Sequence, residues 1–201
     1  MYFHEPDDTN WNYNSYVRIG DMSTVEDFWD FNAAIAKYLS RGMFFVMREH
    51  VYPCWDDKHN IDGGCLSMKV LKEDMPAFWE HLMVRMLGEA LFAPPPKGGG
   101  GGRGGRGPAV AEDAWSIVNG ISVSPKRYFC IVKLWLRTED FTHKRFFALP
   151  AHYNGEVLYK NNTDNIKNNN YVVMRDTAPT SEPPTPPEAP RDEAPPAEKA
   201  I

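Results

Sequence analysis

The chain is short of cysteine, of long apolar runs and of surplus positive charge, and each shortage excludes something. It has only three cysteines in 201 residues, with no paired C-x-x-C among them. An odd number in that pattern supports neither a disulfide framework nor a zinc module. Cys54, His59 and Cys65 come nearest to a metal cluster, but a fourth ligand is missing. Free thiols and a surface histidine are therefore expected, and no metal or cofactor is implied. No apolar stretch reaches the ~20 residues of a helical membrane span. With no secretory signal in view, the expected compartment is the reducing cytoplasm, extending to the nucleus. A formal charge of −5 argues against wholesale binding to a nucleic-acid backbone. No internal repeat is visible.

What is present falls into one expected domain, residues 1–174, and a tail. The tail, residues 175–201, holds eight of the 17 prolines, three basic and six acidic side chains and no aromatic residue, a composition expected to be disordered. It supplies −3 of the net charge, so the remainder is only slightly acidic and leaves room for a local basic patch. "APPPKGGGGGRGGRGPAV", residues 93–110, reads as a flexible insertion. Its G-x-G-x-x-G follows no strand and is no dinucleotide fingerprint. An RGG-type segment, contacting RNA or methylated at Arg103 or Arg106, is the less favoured alternative to a plain linker.

"STVEDFWDFNAAIAKYL" (23–39) reads as a helix, with Ser23 and Glu26 spaced as a capping box. A second helix is expected from Met75 to Phe92 with Asp74 as N-cap, and a short third one over 138–149. Residues 43–51 and 65–71, "NGISVS", "RYFCIVKLWLR", "GEVLYK" and "NYVVMR" read as strands. Short links at 52–64 and 124–127 favour antiparallel pairing. The expected fold class is α+β: a curved antiparallel sheet with two to three helices packed on its convex face.

Six tryptophans, at 11, 29, 55, 79, 115 and 135, stand out. Trp79 is expected in the core. On the first helix Val25 and Trp29 share a stripe, while Phe28, Ile35 and Leu39 lie on a neighbouring one. The second stripe suffices to bury the helix, so Trp29 is either core or a partner contact. Trp11 and Trp55 fall in loops, where packing explains a large aromatic less easily. In "YPCWDDKHNIDGG", residues 52–64, Trp55 directly precedes two carboxylates. The bland reading is a loop with its indole folded inward and its aspartates solvated. The sharper one is a site for a planar cation, stacked on the ring and hydrogen-bonded to a carboxylate. Trp135 shares a strand face with Lys133 and Ile131, a half-wet mixture suited to lining a cleft. Asp56 and Asp57 could also hold Mg²⁺ against a triphosphate, but no general base or further acidic cluster accompanies them, so an enzyme is not indicated.

"STVEDFW", "VYPCWDDKHNIDGG", "FWEHLMVRMLGE", "NGISVSPKR" and "VKLW" occur in this order and spacing. Together they resemble the eukaryotic translation initiation factor 4E family, the messenger-RNA cap binders, over roughly Tyr2 to Val173. The resemblance implies a cup-shaped sheet with helices on its back. It implies that the 7-methylguanine of the cap stacks between Trp11 and Trp55, that Asp56 takes the guanine N1–H and N2–H, and that the Trp55 backbone N–H meets O6. Trp135 matches the residue touching the N7-methyl group, and Lys126 or Arg127 match those reaching the phosphates. Lys133 is added to them from its strand face. On the convex back, Val25, Trp29 and Val84 match the dock for the scaffold protein of the initiation complex, or a similar amphipathic-helix partner. Asp56 stands where the family usually has Glu, and Glu80 where the dock usually has Leu. The function implied is cap binding in translation initiation. The alternative is an interaction module or translational repressor of the same fold with weak or altered cap binding.

Overall fold

The structure, a computed structural model, describes residues 1–93 and 114–168. Seven strands form one sheet: β1 (Tyr2–His4), β2 (Val17–Arg18), β3 (Met43–Met47), β4 (Gly64–Leu71), β5 (Val118–Pro125), β6 (Phe129–Leu136) and β7 (Val157–Asn161). Their spatial order is β2-β1-β3-β5-β6-β4-β7, and every pairing is antiparallel. With helices α1 (Val25–Ile35), α2 (Met75–Leu87) and α3 (Asn162–Asn168), this is the expected curved α+β architecture. Among the described residues no helix is long and apolar enough to cross a membrane. The Gly/Arg-rich insertion, the strand expected at "NYVVMR" and the 175–201 tail lie outside the described residues.

Strand alternation divides the sheet into two faces. One packs Phe44, Val46, Leu66, Met68, Val70, Ile121, Val123, Val132 and Leu134 against Phe28 and Ile35 of α1 and Phe78, Trp79, Leu82 and Met83 of α2. Trp79 is buried there, as its helix position predicts, and so is Leu39. The opposite, concave face carries a second, smaller cluster of Tyr16, Met43, Phe45, Cys54, Cys65 and Trp135.

Local chemistry moves several boundaries. The capping box is one residue later than expected: the Thr24 hydroxyl accepts from the Asp27 N–H, and the Asp27 carboxylate accepts from the N–H groups of Thr24 and Ser23. Asp74 stands at the N-cap position of α2 but its side chain makes no capping bond, and the helix opens with Pro in its first turn instead. That helix stops at Leu87, five residues early, capped by Gly88 and followed by Glu89 in the left-handed region (φ 55°). Only a 3-10 turn, Lys144–Phe146, forms in the segment expected as a third helix. Its backbone is engaged elsewhere: Ala93 donates to the Phe146 carbonyl at 2.8 Å, and Ala148 donates to that of Leu91 at 2.7 Å. Phe141, Phe146 and Phe147 then pack with Phe92 as an aromatic knot. The helix that does follow the sheet, α3, was not expected.

Candidate functional site

The loop carrying Trp55 and Asp56 runs from the end of β3 to the start of β4, beside the concave face. A backbone without regular structure must find partners for its polar groups, and here buried asparagines provide them. Asn60 is fully buried and donates to the carbonyls of Tyr52 and Cys54, both at 2.9 Å. Asn119, on β5, donates to the His59 carbonyl at 2.5 Å and to Asn60 Oδ1 at 2.8 Å. From α3, Asn162 donates to the Asn60 carbonyl at 2.7 Å. Asp57 completes the brace, accepting from the N–H groups of His59 (2.8 Å) and Tyr52 (3.3 Å). Gly63 and Gly64 end the loop because a Cβ would strike the Leu136 carbonyl at Gly63 and the Lys160 carbonyl and Tyr159 ring at Gly64.

Trp11 belongs to a second loop, which the structure ties to the first. The Tyr52 hydroxyl donates to the Tyr13 carbonyl at 2.5 Å, and the two rings lie 4.4 Å apart. Trp11 is 40% exposed, with one face stacked on the buried His4 ring at 4.2 Å and 6° between planes. Both His4 nitrogens lie near backbone carbonyls, those of Glu5 (2.9 Å) and Asn10 (3.0 Å), which fixes the imidazole and so the indole. Trp55 is half-buried, and the Lys133 ammonium sits over its ring, 5.6 Å from the centroid. An indole face placed against a cation is a working cation–π site.

Asp56 is not the open carboxylate that the sequence suggests. It is 2% exposed and hydrogen-bonds the Cys54 thiol, which in turn lies 3.9 Å from the Tyr13 hydroxyl. Burial, and then the neighbouring Asp56, push the Cys54 thiol far above its usual range. Burial similarly raises Tyr13, Tyr16 and Tyr52, and lifts the Cys65 thiol to about 12. These groups hold their protons near neutrality. Trp135 is also less open than a half-wet face implies. It is 3% exposed, with its indole N–H donated to Ser122 Oγ at 2.9 Å, while Ile131 and Lys133 on the same face remain half-buried.

Lys126 and Arg127 stand apart from the tryptophans. They form the exposed turn of the β5–β6 hairpin, whereas the Trp55 loop joins the sheet at the other end, where Gly64 pairs with Leu136. Lys133 lies between, in a row across the concave face with Phe45, Ser122, Ser67 and Leu158. His4, Tyr13, Tyr52 and the asparagines escaped the sequence reading. The only signal for them was the density of Tyr and Asn around the two loop tryptophans.

On the opposite side, Val25 and Trp29 share a face of α1 as their spacing predicts, and Val84 of α2 meets them. With Met22, Phe28, Leu87 and Gly88 they line an apolar groove of about 470 Å³ between α1 and α2. Val25 is 68%, Trp29 47% and Val84 45% exposed, and Phe28 behind them is buried. The sequence left Trp29 between core and surface, and the structure puts it at the surface. Glu80 does not project as a stray charge: its carboxylate accepts from buried Asn32 at 3.1 Å and links α2 to α1.

Comparison with known proteins agrees with this architecture. A wheat (Triticum aestivum) protein, eukaryotic translation initiation factor NCBP, is 32% identical over 77 residues, 37% of this chain and 33% of the relative. The match thus spans about a third of that relative's length. Two solved structures share the fold over 68–69% of this chain and 69% of theirs. One is Ascaris suum eIF4E-3 with m7G cap (20% identity, TM-score 0.52). The other is C. elegans eIF4E-3 with the 4E-binding protein Mextli and a cap analog (18% identity, TM-score 0.53). Residues 1–179, the whole sheet included, match the family described as eukaryotic initiation factor 4E, and the chain belongs to that family.

Proposed function

We propose that the concave end of the sheet binds the 7-methylguanosine cap of messenger RNA, and that the convex groove docks an amphipathic helix of a scaffold-type partner in translation initiation. The observation that carries the first part is the Lys133 ammonium resting on the Trp55 ring, which marks that ring as a receptor for positive charge. N7-methylation makes guanine a flat cation, and a planar cation covers an indole better than an ammonium does. On binding, the base takes the place of Lys133 on Trp55, and Lys133 turns to the phosphates. The free face of Trp11, backed by His4, supplies the second wall. Asp56 exchanges the Cys54 thiol for the guanine N–H pair, a charge-assisted contact stronger than the one it gives up. Lys126 and Arg127 serve the far end of the phosphate chain, and Trp135 acts from behind, setting the depth of the site. The activity is binding, in the cytoplasm, with no cofactor.

Titration of the intact protein with 7-methyl-GTP and with GTP, read by tryptophan quenching, tests this. The methylated nucleotide should bind at least tenfold more tightly. Equal affinities would overturn the cap reading. If neither nucleotide bound while a partner helix still docked on the convex groove, the protein would be an interaction module or repressor.

A further inference from the structure

The convex groove changes character at one end. Val25, Phe28 and Trp29 of α1 and Val84, Leu87 and Gly88 of α2 line its apolar part. One turn beyond Phe28 and one turn before Val84, about 5 Å further along, Asn32 donates to Glu80 Oε2 at 3.1 Å. Asn32 is only 8% exposed, and its amide oxygen is buried with no hydrogen-bond partner among the described residues. Glu80 is exposed. Among the described residues no cation forms an ion pair with it, or with Glu26 and Asp30, both exposed on α1. The guanidinium of Arg85, on α2, is engaged elsewhere, with His81 Nε2 at 3.0 Å and the Ala90 carbonyl at 3.2 Å. The groove thus passes from an apolar floor to two adjacent acceptors, a carboxylate and an amide oxygen. A buried acceptor without a donor is uncommon and costly.

We infer that this end of the groove receives an arginine, so that the partner helix carries one a single turn away from the apolar residue covering Val25, Trp29 and Val84. The inference rests on the reading of the groove as a helix dock and names the chemistry of the helix that fits it. A guanidinium is planar and carries five N–H donors, enough to serve a carboxylate with two and turn another to the Asn32 oxygen. The bond from Asn32 holds the Glu80 carboxylate in place before the partner arrives, which reduces the ordering needed on binding. An apolar residue at the same place would cover the carboxylate and leave it without a donor, so the pair also rejects a purely apolar stripe. Glu26 and Asp30 continue the acidic surface along α1, which has no basic residue, and this favours a basic helix over an acidic one.

The test uses the full chain and a fluorescent synthetic helical peptide with leucines at i, i+4 and i+7. One position a turn beyond the leucine stripe is set to Arg, Lys or Leu, at either end of the stripe so that both orientations are sampled. The better-placed arginine peptide should bind about tenfold more tightly than its leucine counterpart, as expected of a charge-assisted contact shielded at an interface. Lysine should fall between them. Glu80→Gln keeps an acceptor for Asn32 but removes the charge, and should erase most of the preference for arginine. Glu80→Leu should reverse it. Melting curves establish that each variant is folded, and Glu80→Gln decides alone if Glu80→Leu is not. A leucine peptide binding as tightly as the arginine peptide would overturn the inference, as would an arginine preference that survives Glu80→Gln. Lysine matching arginine would overturn it too, since a point charge needs no second acceptor. In those cases the dock itself stands if Trp29→Ala still weakens every peptide. If no peptide binds, or binding ignores Trp29→Ala, the docking reading falls and the inference with it.

Discussion

Two tryptophans, Trp29 on the convex side and Trp55 on the concave side, are both held partly open to solvent, by opposite means. Trp29 rides on α1, whose backbone satisfies its own hydrogen bonds, so burying Phe28, Asn32 and Ile35 on one side suffices to present it on the other. Trp55 rides on a loop that must first find partners for its carbonyls. Asn60, Asn119 and Asn162, drawn from the loop itself, a strand and the last helix, supply them. A helix can therefore display a recognition residue at small structural cost, whereas a loop requires a buried polar network around it. Charge follows the same division: α1 carries Glu26, Asp27 and Asp30 and no basic residue, and the concave strands carry only cations.

The contrast breaks most readily at Asn60. Asn60→Ala strands the carbonyls of Tyr52 and Cys54 and one side of Asn119, and should cost about 3 kcal/mol of stability, since each buried group left unpaired costs ~1–3 kcal/mol. Thermal unfolding should show the loss. Binding of 7-methyl-GTP should fail under conditions where the folded variant still docks a partner helix. If both activities were lost together in the folded protein, the two faces would not be independent.

Trp29→Ala probes the helix side. Truncating an interface tryptophan typically costs ~2 kcal/mol or more of partner affinity, with little change in melting temperature expected here because nearly half of the side chain is already solvated. A sharp fall in melting temperature would make Trp29 a core residue after all. On the loop side, Trp55→Ala should cost about 1–3 kcal/mol of 7-methyl-GTP binding. Asp56→Ala should weaken the nucleotide more than Asp57→Ala, because Asp57 spends both oxygens on its own loop. The reverse ranking would shift the guanine reader by one residue.

The smallest effect is also the most discriminating. Lys133→Met removes a phosphate partner and, at the same time, the cation competing for the Trp55 ring. Affinity for 7-methyl-GTP should fall. Affinity for 7-methylguanosine, which has no phosphates, should hold or rise by about 0.5–1 kcal/mol. Calorimetry with both ligands reads the crossover, and parallel losses would place Lys133 in the fold rather than over the ring.

Much of this was legible in the chain because it depends on local period and composition. Alternation in "CLSMKVL" and "FCIVKLWL" set strand faces, and the two stripes of α1 separated Phe28 from Trp29. Two of the failures share a cause: the 138–149 segment and the openness of Trp135 were settled by partners distant in sequence. No spacing rule reports that Ala148 will donate to Leu91, or that Glu80 will meet Asn32 across two helices.

The sequence by itself determined five strands of the sheet, the two back helices and the placing of Val25 and Trp29 on one stripe, because side-chain direction follows the 3.6- and 2-residue periods of the backbone. Tertiary structure alone decided how the concave site is assembled. It put His4 behind Trp11 and Lys133 over Trp55, and turned Asp56 toward Cys54. Contacts between loops have no period to announce them, and they form only where the folded sheet brings separate stretches of chain within hydrogen-bonding distance.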